Sequence, residues 1–144
     1  MEADAVRYAP HLFQKYIDKA YEVRVTVINS QCFAVRIDSQ ANAKTKIDWR
    51  NYDLEHTPHS ALVLPAEIEQ RILNYVRSYG LTFSALDFIV TPTDDWVFLE
   101  NNPNGQWLWL EELTGLPMTE ALISALIHEP RQPRFDENWA RADG

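Results

Sequence analysis

A single cysteine, only four lysines and no apolar run of membrane-spanning length exclude much about this 144-residue chain at the outset. Lone Cys32 has no internal partner, so an internal disulfide is excluded. Set within an apolar stretch, it reads as a small buried hydrophobe in a protein kept in a reducing compartment. A bilayer-crossing helix needs about 20 consecutive apolar residues, and nothing here approaches that or resembles a secretory signal. The expectation is a cytoplasmic protein with no membrane partner. Acids outnumber bases, the net charge is -8 and the pI is near 4.9. That balance argues against a nucleic-acid partner, because backbone binding needs clustered Lys and Arg that release counterions. Arg outnumbers Lys, and its planar fork suits carboxylate or phosphate, which fits an acidic peptide or a nucleotide. An ordinary acidic surface explains the balance equally well.

What is present suits one compact domain: the length is usual for one, and 46% apolar content builds a core. Residues 1–10 are polar and read as a loose N-terminal segment. Strand-like runs at 11–17, 21–29 and 31–38 suggest a meander, and 39–58 reads as a polar loop carrying Lys44, Lys46 and Asp48-Trp49-Arg50. From Pro65, Ile68, Ile72, Leu73, Val76 and Tyr79 recur at helical spacing, with acids in the first turn and Gly80 at the end. A second helix is expected over 117–127, with Leu122, Ile123, Leu126 and Ile127 inward. Residues 128–144 form a charged, Pro-containing tail without periodicity, expected to be disordered. The fold class is α+β, an antiparallel sheet covered on one face by two helices.

Between the helices lies the most informative stretch. Leu81–Val90 and Trp96–Asn101 read as two strands, and Pro92-Thr93-Asp94-Asp95 is a turn that makes them an antiparallel hairpin. Alternation puts Trp96, Phe98 and Glu100 on one face and Val97, Leu99 and Asn101 on the other, so Glu100 and Asn102 share a face. The hairpin can bring Asp87 beside Glu100. Two carboxylates and an amide carbonyl, with no Cys or His among them, suit Mg or Mn bound together with phosphate oxygens. On spacing alone, an ordinary strand followed by an Asn-Pro-Asn-Gly turn accounts for the same residues. Of the four histidines only His56 and His59 are close together, and without a third ligand they read as solvent-facing. Trp107 and Trp109 read as core packing rather than as a peptide platform.

Asp87 in Ala85-Leu86-Asp87-Phe88 and the pair Glu100 and Asn102 in Phe98-Leu99-Glu100-Asn101-Asn102 resemble the metal motif of ATP-grasp ligases, in its C-terminal portion. The resemblance implies that Asp87, Glu100 and Asn102 hold Mg (or Mn) bridging the phosphates of ATP. Leu12–Ile17 resembles the family's hinge strand, which implies adenine contacts from Gln14, Lys15, Tyr16 and Ile17, with Glu22 or Asp18 for the ribose. Tyr21–Ile28 and Cys32–Ile37 resemble the next two strands, which implies phosphate and acyl-phosphate roles for Arg24 and Arg36. Within the superfamily, Asn102-Pro103-Asn104-Gly105-Gln106-Trp107 and Asp48-Trp49-Arg50 resemble graspetide ligases of the microviridin type, which implies a substrate contact for Arg50. The likeness runs over residues 11–127.

Three departures qualify the resemblance. D-alanine ligases carry an Arg two residues before the metal Asp, where this chain has Ala85. Ribosomal-protein glutamate ligases lack Asp-Trp-Arg and follow the Asn with small residues, unlike Gln106–Trp109. The family's lysine-bearing central subdomain has no counterpart ahead of the resembling region, which implies half a nucleotide cleft. The implied function is ATP-dependent activation of a carboxylate as an acyl phosphate, in a ribosomal precursor peptide, to form an amide or ester. A truncated, non-catalytic module binding nucleotide, metal or peptide is the alternative, as is a separate chain supplying the missing half.

Overall fold

Strand β1 (Tyr21–Ile28) sets the architecture, because every residue after Tyr21 is buried on both sides. A strand buried on both faces must be central and paired at both edges. Antiparallel partners flank it, β2 (Gln31–Ile37) and β4 (Phe83–Val90), and β3 (His59–Leu62) and β5 (Trp96–Asn102) extend the sheet to the order β3-β2-β1-β4-β5. This computed structural model describes residues 10, 13–41 and 57–128. The β1–β2 hairpin turns through Asn29 with φ of 54°, a left-handed position that Asn tolerates. In the β4–β5 connection, Asp95 accepts from the Thr93 hydroxyl and its backbone N–H donates to Thr91 Oγ1, closing the turn around left-handed Asp94.

Helices cover both faces. On one, Val23, Val25, Val27, Leu86, Phe88 and Val90 pack against Ile72 and Val76 of α1 (Ala66–Ser78). On the other, Ile28, Phe33 and Val35 pack beneath Leu110 of α2 (Leu108–Thr114) and Met118, Ala121 and Ala125 of α3 (Met118–His128). Glu67 and Glu69 lie in the first turn of α1, and Gly80 just beyond its end takes φ of 62°. Helix α2 stops at Gly115 in the left-handed region, and the Glu111 carboxylate accepts from the Thr119 backbone N–H and hydroxyl, tying α2 to the start of α3.

The α+β antiparallel sheet is as expected, but three helices cover it, α1 on one face and α2 with α3 on the other, rather than two helices on a single face. Of the run expected as a strand over 11–17, residues 13–17 have no regular structure, and pairing begins where the Ala20 N–H donates to the Val90 carbonyl. Strand β3 and helix α2 arise in segments that carry no clear period. The inward face of α3 also differs: Met118, Ala121 and Ala125 are buried, while Ile123, Leu126 and Ile127 are exposed. Glu120 and Ser124, four residues apart, face solvent together with Ile123 and Ile127, while the small Ala121 and Ala125 lie against the sheet. Trp107 and Trp109 pack at the margin of this core, as expected. Cys32 packs on the α1 side, where burial, and secondarily Glu69, push its thiol up to about 12, so it is inert as a nucleophile. No described helix is long and apolar enough to cross a membrane.

Ile72→Ala should lower unfolding free energy by about 2–5 kcal/mol, and Leu126→Ala by less than about 0.5. Urea unfolding of the two variants distinguishes this helix orientation from its reverse.

Candidate functional site

Three strands build the site, and an irregularity in β5 completes it. Phe88 pairs with Phe98 but Asp87 pairs with Glu100, so Leu99 is an extra residue between the two pairs. Opposed residues share a face, and Asp87 and Phe88 point to opposite faces. Phe98 and Glu100 therefore face opposite ways, which simple alternation does not allow; a β-bulge does. Below the bulge, Trp96 and Phe98 stack on Phe88 with ring centroids 5.8 and 5.7 Å away, over α1. Above it, Glu100 and Asn102 turn to the other face, beside Asp87.

The result is a charged row across the sheet. Arg24 stands opposite Asp87, and Asp87 opposite Glu100. Arg24 Nε lies 3.6 Å from Asp87 Oδ1, and both side chains are about nineteen-twentieths buried, at 7% and 5% exposure. Glu100 is exposed at the rim. One step along, Asn102 stands opposite Ala85 and Ala85 opposite Thr26. Asn102 opens a tight turn: its Oδ1 accepts from the Asn104 backbone N–H at 3.0 Å and its carbonyl from the Gly105 N–H at 3.2 Å. An amide oxygen has a second lone pair, so this bond leaves Asn102 able to ligate. Asn101 faces the other way and accepts from the Ser84 hydroxyl.

The donor set is all oxygen, two carboxylates and an amide, with one end buried and one at solvent. That composition fits a hard divalent cation that keeps some water or phosphate ligands. Among the described residues, no three His, Cys, Asp or Glu side chains converge on a metal position.

Other candidate residues divide. Glu22 sits on the same face as Arg24, two residues earlier, buried and ion-paired with buried Lys19. Lys19 was not anticipated as part of this cluster; its signal is the polar series Glu22, Arg24, Thr26 at alternate positions of an otherwise apolar strand, which requires buried partners. Arg36 is not brought to the row. Opposite Val23, it faces the α1 side, with its guanidinium 4.0 Å over the Tyr21 ring and bonded to Asp38 at 2.7–2.8 Å. Gln14, Lys15 and Tyr16 are exposed and Ile17 half-buried, in a segment without regular structure, and Asp18 is exposed. Arg50, with Asp48 and Trp49, lies outside the described residues, as does His56. His59 is not solvent-facing: it stacks edge-on against Trp109, with centroids 5.4 Å apart. Beyond the Asn102 turn, residues 104–109 and Glu112 line an open groove of about 510 Å³ that adjoins the cluster.

No protein-family model and no curated protein matches the chain. Among solved structures it is similar to a RiPP-associated ATP-grasp ligase of Chryseobacterium gregarium in complex with ADP and a leader and core peptide. The identity is 34% and the TM-score 0.77, over 85% of this chain and 38% of that one. It is also similar to two macrocyclases of Microcystis aeruginosa. MdnC, bound with precursor peptide MdnA, is 35% identical with a TM-score of 0.66, over 78% of this chain and 35% of that one. MdnB is 33% identical with a TM-score of 0.65, over 81% and 41%. The chain thus spans about two fifths of the length of these proteins.

Arg24→Ala should cost about 3–5 kcal/mol in urea unfolding, since it leaves the buried Asp87 carboxylate beside Glu100 without its cation. His59 generates a pH prediction. Burial lowers its pKa from 6.5, outweighing a hydrogen bond with the Thr57 backbone and the charge of Asp38, which raise it. As pH falls through 6.5 the unfolded chain binds the proton before the folded one does, so stability should decline with falling pH. In His59→Gln, urea midpoints at pH 7.5 and 5.5 should lie closer together than in the unsubstituted protein.

Proposed function

We propose, taking this chain as the C-terminal portion of an ATP-grasp ligase of the peptide-modifying kind, that it supplies the metal-binding half of a phosphoryl-transfer site. The observation that carries this reading is the row Arg24–Asp87–Glu100 with Asn102 one step along, brought to one face by the bulge at Leu99. Asp87, Glu100 and Asn102 would hold Mg, which when bound neutralises the ATP phosphates and orients the terminal one for in-line transfer.

Within that reading the chain's own groups have distinct tasks. Arg24, fixed by Asp87, presents positive charge where charge develops on the transferred phosphoryl group. Glu22, paired with Lys19 and on the same face as Arg24, is the group this reading assigns to the ribose. A substrate carboxylate oxygen attacks the terminal phosphorus, the bond to ADP breaks, and an acyl phosphate forms. A Lys amine or a Ser or Thr hydroxyl then attacks the acyl carbon, loses its proton and releases phosphate, giving an amide or an ester. The substrate in this reading is a ribosomal precursor peptide, for which the open groove along 104–109 offers a surface beside the chemistry. Opposing cationic groups on the far side of the nucleotide belong to a further part of the ligase, in the same polypeptide or a separate one. Arg36, bound to Asp38 on the other face, takes no part.

Calorimetric titration with Mg and a non-hydrolysable ATP analogue tests the proposal, with the double variant Asp87→Asn, Glu100→Gln as control. Metal-dependent binding should be seen in the unsubstituted protein and weaken at least about a hundredfold in the double variant, given two lost charge-assisted contacts. Equal binding by the two proteins, or none by either, overturns it. Binding without turnover of a precursor peptide, even after the remainder of a related ligase is added, favours a non-catalytic module.

A further inference from the structure

Gly105 ends the turn that begins at Asn102, and its backbone is not in the left-handed region that demands glycine elsewhere in this chain. Its requirement is space. A Cβ at position 105 would stand 2.5 Å from Ala85 Cβ, 3.1 Å from Arg24 Nη2 and 3.4 Å from the Asn102 carbonyl oxygen. The first distance is well inside van der Waals contact, and Ala85 Cβ cannot rotate away because it is fixed to the backbone of fully buried β4. The second would be relieved by moving the end of a long side chain, so the guanidinium is the part that yields.

We propose that Gly105 is a positioning residue: its bare Cα closes on Ala85 and walls in the Arg24 guanidinium, so that the turn bearing Asn102 and the cation beside Asp87 are held in one arrangement. The same contact explains why residue 85 is small. The returning turn fills the space above it, and a longer side chain from β4 has no room there. The positive charge on this face therefore comes from the neighbouring strand, through Arg24. One glycine thus sets both the turn that bears Asn102 and the Arg24 cation, and about 1 Å of displacement is enough to impair such a constellation. The functional consequence rests on the phosphoryl-transfer reading; the packing lock does not.

The experiment uses the full chain carrying Gly105→Ala, Ala85→Val, or the pair Gly105→Ala with Ala85→Gly. The arginine Nε–H nitrogen–proton spectrum reports guanidinium position, with the Arg24 signal identified by its loss in Arg24→Lys. Gly105→Ala and Ala85→Val should each move that signal; in the paired variant the space left by Ala85→Gly lets the turn settle onto β4 and draw the new methyl away from Arg24 Nη2, which should return it. Affinity for Mg with the ATP analogue should fall about tenfold in Gly105→Ala and recover in the pair, the size of one charge-assisted contact. A structural defect alone lowers stability without this reciprocal rescue. If Gly105→Ala fails to fold and the pair folds with the original Arg24 signal, the lock is supported. An unmoved Arg24 signal in Gly105→Ala, or a moved one that the second substitution does not restore, overturns it. Absence of nucleotide binding by the unsubstituted protein counts against the phosphoryl-transfer reading alone, because the Arg24 signal decides the lock independently.

Discussion

The structure depends on a buried ion pair at the middle of its sheet. Arg24 and Asp87 face each other on the two most enclosed strands, 6% and 4% exposed as residues. Ionised groups so far from water are tolerated only when paired and solvated by neighbouring polar atoms. Apolar residues of similar size would pack there without that cost, so the pair adds little net stability over such a replacement. Its presence constrains the surroundings. Thr26 and Glu22 are buried on the same face of β1, Glu22 paired with buried Lys19, and the apolar core on this face lies toward Ile28, Phe33 and Val35 under α2 and α3.

The sheet's two faces therefore do different work. The face under α1 carries the apolar layer from Val23 to Val90, beside Arg36 and the Ser84–Asn101 hydrogen bond, and includes the aromatic contacts among Tyr75, Phe88 and Phe98. It supplies rigidity. The opposite face is apolar at one end and charged at the other, with the Asn102 turn and the groove beside Trp107 at the boundary. Strand β5 serves both by changing phase at Leu99. Without the bulge, Glu100 would share a face with Phe98 and enter the hydrocarbon layer, where an unpaired carboxylate is costly. A single inserted residue thus separates the packing half of the strand from the half that carries Glu100 and Asn102.

Much of this was legible from the residues themselves. The spacing of Ile68, Ile72 and Val76 defines α1 because a surface helix needs one apolar stripe and polar residues elsewhere. The paired runs ending in Val90 and starting at Trp96 define the hairpin, because the Pro92–Asp95 turn permits little else. The approach of Asp87 to Glu100 was legible from the hairpin and is seen in the register, whereas their reading with Asn102 as a ligand set came from the family resemblance, because spacing alone suits an ordinary strand and turn equally well. Strand β3 was not, for four residues of His-Ser-Ala-Leu show no period long enough to read. The rotation of α3 was not legible either, since Ile123, Leu126 and Ile127 are as apolar as the Met118 and Ala121 that are buried in their place.

The sequence by itself determined the kind of chemistry available, hard oxygen donors beside arginines, and the antiparallel hairpin that carries it, because these follow from residue type and local turn geometry. Which arginine joins the carboxylates was decided only by tertiary structure. Arg24 and Arg36 both lie on strands of the expected meander, yet cross-strand register puts one opposite Asp87 and the other opposite Val23, against Asp38 and Tyr21. Register flips every side chain with a shift of one residue, and neither it, nor the bulge at Leu99, nor the fit of Gly105 onto Ala85 is a property of any single stretch of chain. Each is set by the packing of strands and turns that only the folded sheet brings into contact.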